Sequence, residues 1–595
     1  MNIRNTRSCY MLTPALFLCA LTSNVLAESS FRQTLDDFRT DERYTHRFLD
    51  TRYSTSSLAQ ASAFYTDAAS TLQQQKFKAL DLQDRVDYLL LSNTIQSELR
   101  QIDEQQDLIA RHAPFVGFSE NAYQLRQERR LGRVADGARA AKSLAAIRTS
   151  AQDGRKAFDA FFEGASASST NEVAGTNAVE AVEAVEGNAT KQEARYLALR
   201  LAHQVKHHIG QIKPWYQHYA ENQPDFAWWV EAEWDATRKV LEEYEKHLRE
   251  NKADVKDPHK APLLGRSIGA EALEDRIREE MIPYTARELI ALAEREMAWC
   301  EAEMQNVADA LDEPDWTNAL ERVKDATMPP GQQAELVGQY VDEAIAFLKA
   351  RELLNVPPVC EAGLGIRMVS KDAQRTLPYA LYGGQEVRVA YATRGMTHEA
   401  MQMSMRGNNL HATRIVIAHE AIPGHHYQGY MASKYRAYRR RFSTPFFVEG
   451  WALYWEMRLW DLDFARGVKD RAGMLFWRSH RCARVILTLK YHLGDIEPDA
   501  MVDYLVDRIG HERNQATSEV RRYIAPHTGV LYQASYMIGG LQLKALWREC
   551  VKDGRMSEAD FHDAVAQQGP IPVALIRAIL LKEKLAEDFV STWRF

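Results

Sequence analysis

The pattern of apolar positions is helical through most of the chain. Between Phe31 and about Ser150, residues Leu82, Val86, Leu89, Leu90, Leu99 and Ile102 recur at three- and four-residue steps, which puts them on one helix face. A second run covers Ala194 to Tyr219. A third begins at Gly269 and passes Leu273, Ile277 and Met281 on its way to Ile290 and Met297. A fourth spans about Gln332 to Leu353, after the break at Pro329-Pro330-Gly331. Two stretches depart from this texture. Residues 164–192 turn to Ala, Ser, Thr, Gly and Glu, with no aromatic residue. Such a segment buries too little to offset its ordering, so it reads as a flexible surface insertion. The other stretch follows Pro357-Pro358, where Ile366–Val369, Tyr379–Tyr382 and Val387–Tyr391 are short and rich in β-formers, with Gly383-Gly384 between the last two. These predict a small antiparallel sheet. Its exposed edge would suit backbone pairing with an extended peptide.

Composition narrows the class without naming a function. At 595 residues, 46% hydrophobic and 26% charged, the chain is an ordinary globular protein large enough for two or three cores. Its net charge of -7 and lack of a basic domain argue against a nucleic-acid partner. Arg4 and Arg7, the apolar run from Tyr10 to Leu21, and Val25-Leu26-Ala27 before Glu28 have the order of a secretory leader covering residues 1–27. That run is too short to span a membrane. Leu18 stands before Cys19 where a lipoprotein box needs a small residue, so the expectation is an exported soluble protein, periplasmic or secreted. Cys300, Cys360, Cys482 and Cys550 are too few for a disulfide scaffold, though one or two bridges fit an oxidising compartment.

The chemistry concentrates in His419-Glu420-Ala421-Ile422-Pro423-Gly424-His425-His426 and in Glu449-Gly450-Trp451-Ala452-Leu453-Tyr454. Two imidazoles and carboxylates in one window are what a catalytic zinc site needs, with a position left for water. Asn408 or Asn409 caps a helix running through Ile415 to Glu420. In an ordinary zincin the second histidine follows the first by four residues, but here Pro423 occupies that place. Proline breaks a helix, and a bulged turn at Pro423-Gly424 would bring His425 back to His419, with His426 behind it as a supporting or substrate-contacting group. Glu420 is then the general base. Glu449 lies on a helix from Phe446 to Trp460 that is apolar nearly all round, where a bare carboxylate is costly unless it is paired or holds a metal. Glu456, seven residues on and on the same face, is placed to hold a histidine N–H. His203 and His207 also share a helix face, but no acid completes a site there, and with His208 they read as surface or core.

At these two segments the chain resembles the bacterial proteins of domain of unknown function 885, recognised by HEAIPGHH followed by EGWALY. The resemblance extends over Gly269 to Met297 and Glu519 to Gly539. More distantly the sequence is similar to the gluzincin metallopeptidases, in which two His and a Glu hold one zinc ion. In their aminopeptidase branch the third ligand opens a Glu-Gly-aromatic-Ala segment, and Glu449-Gly450-Trp451-Ala452 matches it. The resemblance therefore implies zinc held by His419, His425 and Glu449. It also implies a mostly α, two-lobed fold with a deep cleft, divided into an N-terminal helical lobe over residues 28–265 and a catalytic helical lobe over 266–595. Ser535-Tyr536-Met537-Ile538-Gly539 matches the family's Ser-Tyr-x-Ile-Gly and implies Tyr536 as the oxyanion donor. Glu519-Val520-Arg521-Arg522-Tyr523 likewise offers Arg522 for a substrate carboxylate. The family's Pro-x-Gln-Ala is replaced by Val530-Leu531-Tyr532-Gln533, a departure that bears on substrate preference.

The basic run Arg436, Arg439, Arg440 and Arg441 reads as a helix end, with contact to a substrate carboxylate as the lesser alternative. The leading expectation is a zinc peptidase acting on short peptides. A zinc amidase or deacylase would use the same site. An exported metal- or peptide-binding protein is the alternative from another class, and it would have no use for Glu420. Neither the oligomeric state nor the end from which a peptide is cut has a signature here.

Overall fold

A computed structural model describes residues 30–48, 52–167, 190–257, 261–375, 377–525 and 529–595. The leader, and residues 168–189 of the predicted insertion, lie outside them. The fold is mostly helical, as the periodicity predicts. The helix Leu82–His112 starts at Asp81, whose side chain accepts from the Asp84 N–H, and buries Val86, Leu89, Leu90 and Ile102. The run after Gly269 is two helices, Ala270–Glu279 and Ala286–Ala310. Pro283 interrupts it, and a Thr285–Glu288 capping box starts the second helix. No helix among the described residues is long and apolar enough to cross a membrane. The four described cysteines are buried and free, so neither of the bridges considered above is formed.

Three buried clusters organise the helices. One lies wholly within residues 115–264. Another is built from helices between Leu273 and Ile538. The third joins the first three helices, from Phe31 to Ile109, to the segments that carry His419 and Glu449. The chain's beginning therefore packs on the half that holds the candidate site.

The basic run explains part of that attachment. Arg439, in the 3-10 turn Ala437–Phe442, is fully buried and bonds Asp87 Oδ1 through Nε at 2.6 Å. Arg441 bonds Glu42 at 2.6 Å and Glu98 at 2.8 Å. These arginines are struts between the N-terminal helices and the half that holds the candidate site, a role that a helix-end reading did not contain. Removing one partner of a buried pair leaves the other charge uncompensated. Arg439→Ala is therefore expected to lower unfolding free energy by about 3–5 kcal/mol. Arg440→Ala, at an exposed position, should stay within about 0.5 kcal/mol. Denaturant melts of the two variants check this, and equal effects would remove the strut.

The sheet has three strands, β1 (Gly365–Met368), β2 (Leu381–Tyr382) and β3 (Glu386–Val389), in the spatial order β1-β3-β2. β2 and β3 form the predicted hairpin about Gly383-Gly384, but β1 pairs with β3 in parallel. The sheet is mixed, not antiparallel. A parallel pair needs a crossover of about a dozen residues. Residues 369–385, which include β2, supply it, and the local β pattern does not reveal where that stretch leads.

Candidate metal centre

The first histidine sits at the end of the helix Leu410–Glu420. Asn409 caps that helix by accepting from the His411 and Ala412 N–H groups, and residues 412–419 are buried. The helix does not bulge past Glu420. It stops, and a new helix, His425–Lys434, begins after Pro423-Gly424. The Gly424 N–H returns to the Ala418 carbonyl at 3.1 Å. A Cβ on Gly424 would lie 1.7 Å from the His419 carbonyl oxygen, so only glycine allows this reversal. The Pro423 carbonyl is held by the Trp451 indole N–H at 2.9 Å. The result is that the His419 and His425 rings meet with centroids 4.8 Å apart, almost perpendicular.

The third group arrives on the helix Pro445–Asp461, which packs closely on the helix Tyr532–Trp547. A Cβ on Gly539 would fall 1.8 Å from the Phe446 carbonyl, and one on Gly450 would fall 2.6 Å from Gly539 Cα. This glycine contact seats Glu449 beside Tyr532 and Tyr536. Glu449 Oε2 lies 3.1 Å from His425 Nε2 and 3.7 Å from His419 Nε2. The three ligand atoms fall within 4.8 Å of one another, the one such group of His, Cys, Asp or Glu among the described residues. Glu449 Oε2 is buried without a hydrogen bond, while Oε1 accepts from the Tyr532 hydroxyl at 2.5 Å. His419 Nδ1 bonds Glu456 Oε1 at 2.6 Å, which leaves its Nε2 lone pair for an ion. An orphaned carboxylate oxygen facing two imidazole nitrogens fits a zinc ion.

Electrostatics fit the same arrangement. Burial opposes charge on His419, but Glu449 and Glu456 outweigh it and raise its pKa to about 9. Glu449 is held well below the usual carboxylate range despite burial, through His425 and His419. Without metal, then, His419 carries a proton at neutral pH and Glu449 does not. Coordination requires the neutral ring, so zinc binding at pH 7 should release about one proton. Affinity should accordingly rise with pH through about 9 and level off above it, once the ring has lost its proton. Titration calorimetry in buffers of different ionisation enthalpy measures this; no release at pH 7 would contradict it.

Glu420 stands next to the triad. Its Oε2 accepts the backbone N–H of Tyr382 at 2.7 Å, so β2, an edge of the sheet, lies against it. Burial raises its pKa, with His419 and His425 opposing. The Tyr536 ring stacks on His419 with centroids 6.1 Å apart. Burial, and then Glu449, pushes the Tyr536 hydroxyl up to about 12, so it stays protonated as a donor. Arg481 and Arg484 lie 5.0 and 4.6 Å from the centroid of that ring.

The remaining expected residues fall outside the triad. His426 points the other way, with Nε2 donating to the Cys360 carbonyl at 2.7 Å and Nδ1 3.3 Å from the Tyr382 hydroxyl. Arg522 bonds Glu519 Oε1 at 2.8 Å with 42% of its side chain exposed. His203 is exposed, and His208 is buried and bonded to Ser119 at 2.9 Å. Tyr532 is the site residue that sequence reasoning missed. It appears above only as part of a family departure, yet it stands four residues before Tyr536 and so on the same helix face.

Fold and site together define a mostly helical protein with a two-histidine, one-glutamate centre and a neighbouring carboxylate outside the triad. The chain belongs to the family DUF885, bacterial proteins of unknown function, whose model matches residues 40–580. No curated protein matches it. Among solved structures it is similar to one described as "a putative lipoprotein of unknown function" from Shewanella oneidensis. That likeness has a TM-score of 0.66 and 18% identity, covering 93% of this chain and 100% of the other. It is also similar to "the putative lipoprotein from Colwellia psychrerythraea", with a TM-score of 0.54 and 14% identity, covering 89% and 91%. These likenesses concern the fold.

Proposed function

We propose that the protein is an exported zinc-dependent peptidase that hydrolyses short peptides, with the two-lobed, cleft-bearing architecture of the helical gluzincins. The observation that carries the reading is Glu420 poised beside the His419-His425-Glu449 triad, in which Glu449 Oε2 faces both imidazoles. Bound there, zinc would lower the pKa of a water to about 7 and polarise a carbonyl. Glu420, with its pKa raised by burial, suits a base that takes a proton from that water and passes it to the leaving amine. The protonated Tyr536 hydroxyl is the candidate donor to the oxygen that gains charge on the attacked carbonyl. Glu456 keeps the His419 ring in the ligating tautomer. β2, next to Glu420, offers the edge on which an extended peptide would lie. Export is supported by the N-terminal pattern and by the description of both structural relatives as putative lipoproteins.

An amidase or deacylase on a non-peptide amide would use the same atoms, but it would have no need of a strand edge at the base. The test is metal analysis of the purified protein, with digestion of a peptide library by wild type and Glu420→Gln. About one zinc per chain and cleavage by wild type alone are expected. Zinc-loaded wild type that cleaves no peptide would overturn the reading.

A further inference from the structure

A cavity of about 890 Å³ lies between the helices Leu82–His112 and Lys191–Asn222 on one side and the catalytic half on the other. It borders the candidate metal centre at Tyr532, which lines the cavity and donates its hydroxyl to Glu449 Oε1. Pro445, the first residue of the Glu449 helix, lines it as well.

The carboxylates of this cavity are engaged. Glu279 is held by Arg100 at 2.7 Å and by Arg276 at 2.9 Å, and Glu104 by Arg276 at 2.6 Å. Glu193 caps its own helix through the Thr190 N–H at 2.6 Å. Glu280 bonds the Thr444 hydroxyl. Burial, against that bond, raises the Glu280 pKa to about 7, so its negative charge near neutrality is reduced.

Two cations are not engaged. Arg111 and Arg200 come from the two N-terminal helices and have no carboxylate partner among the described residues, and Arg111 Nε is buried without a hydrogen bond. Both act on His112, whose pKa is lowered to about 4 by burial first and by these arginines besides, so they converge on one wall. His492 lines the cavity too, 4% exposed and with neither ring nitrogen bonded. Both arginines are half-buried, and a partly desolvated guanidinium with no acid beside it favours an anion, its planar fork matching a carboxylate.

We propose that this cavity is the substrate chamber, and that Arg111 and Arg200 take a carboxylate of an anionic peptide whose scissile end lies toward Tyr532. The proposal rests on the peptidase reading. The carboxylate is either the peptide's own carboxyl terminus or an Asp or Glu side chain, since both present the same two oxygens to the fork. The family-like Arg522, already bonded to Glu519, is not required.

The test uses the full zinc-loaded chain carrying Glu420→Gln, so that peptide persists, and fluorescent short peptides in matched pairs. One pair compares the free acid with the terminal amide, and the other compares Glu with Gln inside an amidated peptide. The anionic member of one pair is expected to bind about 10- to 100-fold tighter than its neutral mate, and the pair that shows this names the source. Arg111→Gln and Arg200→Gln should each bring that ratio close to one, with the thermal midpoint confirming a folded chain. Should either fail to fold, Arg→Lys at the same position keeps the charge, loses the fork, and should retain part of the ratio. Equal affinity within both pairs, or a ratio that survives both substitutions, overturns the proposal. Cleavage by wild type with an arginine-independent ratio removes the chamber alone. Arginine-dependent binding with no cleavage by wild type removes the peptidase reading instead.

Discussion

Glu420→Gln is expected to keep its metal and to lose hydrolysis by about 10²- to 10⁴-fold. The carboxylate is not among the three converging ligand atoms, so its loss leaves the triad intact. It accepts the Tyr382 N–H through Oε2, and a glutamine oxygen can accept the same bond, so the local structure should persist. Only the ability to accept and return a proton disappears. The informative quantities are zinc content, unchanged, and kcat, reduced, in the same preparation. Retention of full turnover would transfer the base to another group, and loss of zinc would make Glu420 a ligand.

The second large effect separates two adjacent histidines. His425→Ala should abolish stoichiometric zinc, whereas His426→Ala should retain it, because the His425 ring meets His419 and Glu449 while His426 is tied to the Cys360 carbonyl. Glu449→Ala should behave as His425→Ala does, since it removes the oxygen that both imidazoles face. Glu456→Ala removes only the bond that orients His419 and should weaken zinc about 10- to 100-fold without abolishing it. Metal content after dialysis against a weak chelator ranks the four variants. Zinc retained in His425→Ala and lost in His426→Ala would reverse the assignment.

The site was legible in the chain because its determinants are local. Asn409, the apolar run to His419 and the break at Pro423-Gly424 lie within one stretch, and backbone rules alone demand an interruption between Glu420 and His425. The form of that interruption was not legible. A bulge and a full stop with a new helix satisfy the same sequence, and the choice rests on Gly424 folding against the His419 carbonyl and on Trp451 reaching back to Pro423. Glu456 was legible by helical spacing from Glu449. Tyr532 was less so, because its meaning depends on the Gly450–Gly539 contact that brings a distant helix against Glu449.

By itself the sequence determined the helical class, the hairpin about Gly383-Gly384 and a cap at Asn408 or Asn409, and it offered His419 and His425 as candidate imidazoles. Each of these follows from side-chain period, turn chemistry or spacing within a few residues. The tertiary structure alone decided that β1 lies parallel to β3, that Arg439 and Arg441 bind the N-terminal helices, and that Arg111 and Arg200 line one cavity whose carboxylates are bonded elsewhere. Those facts join residues far apart in the chain, and no local preference records which distant partner a strand edge or a buried guanidinium will meet.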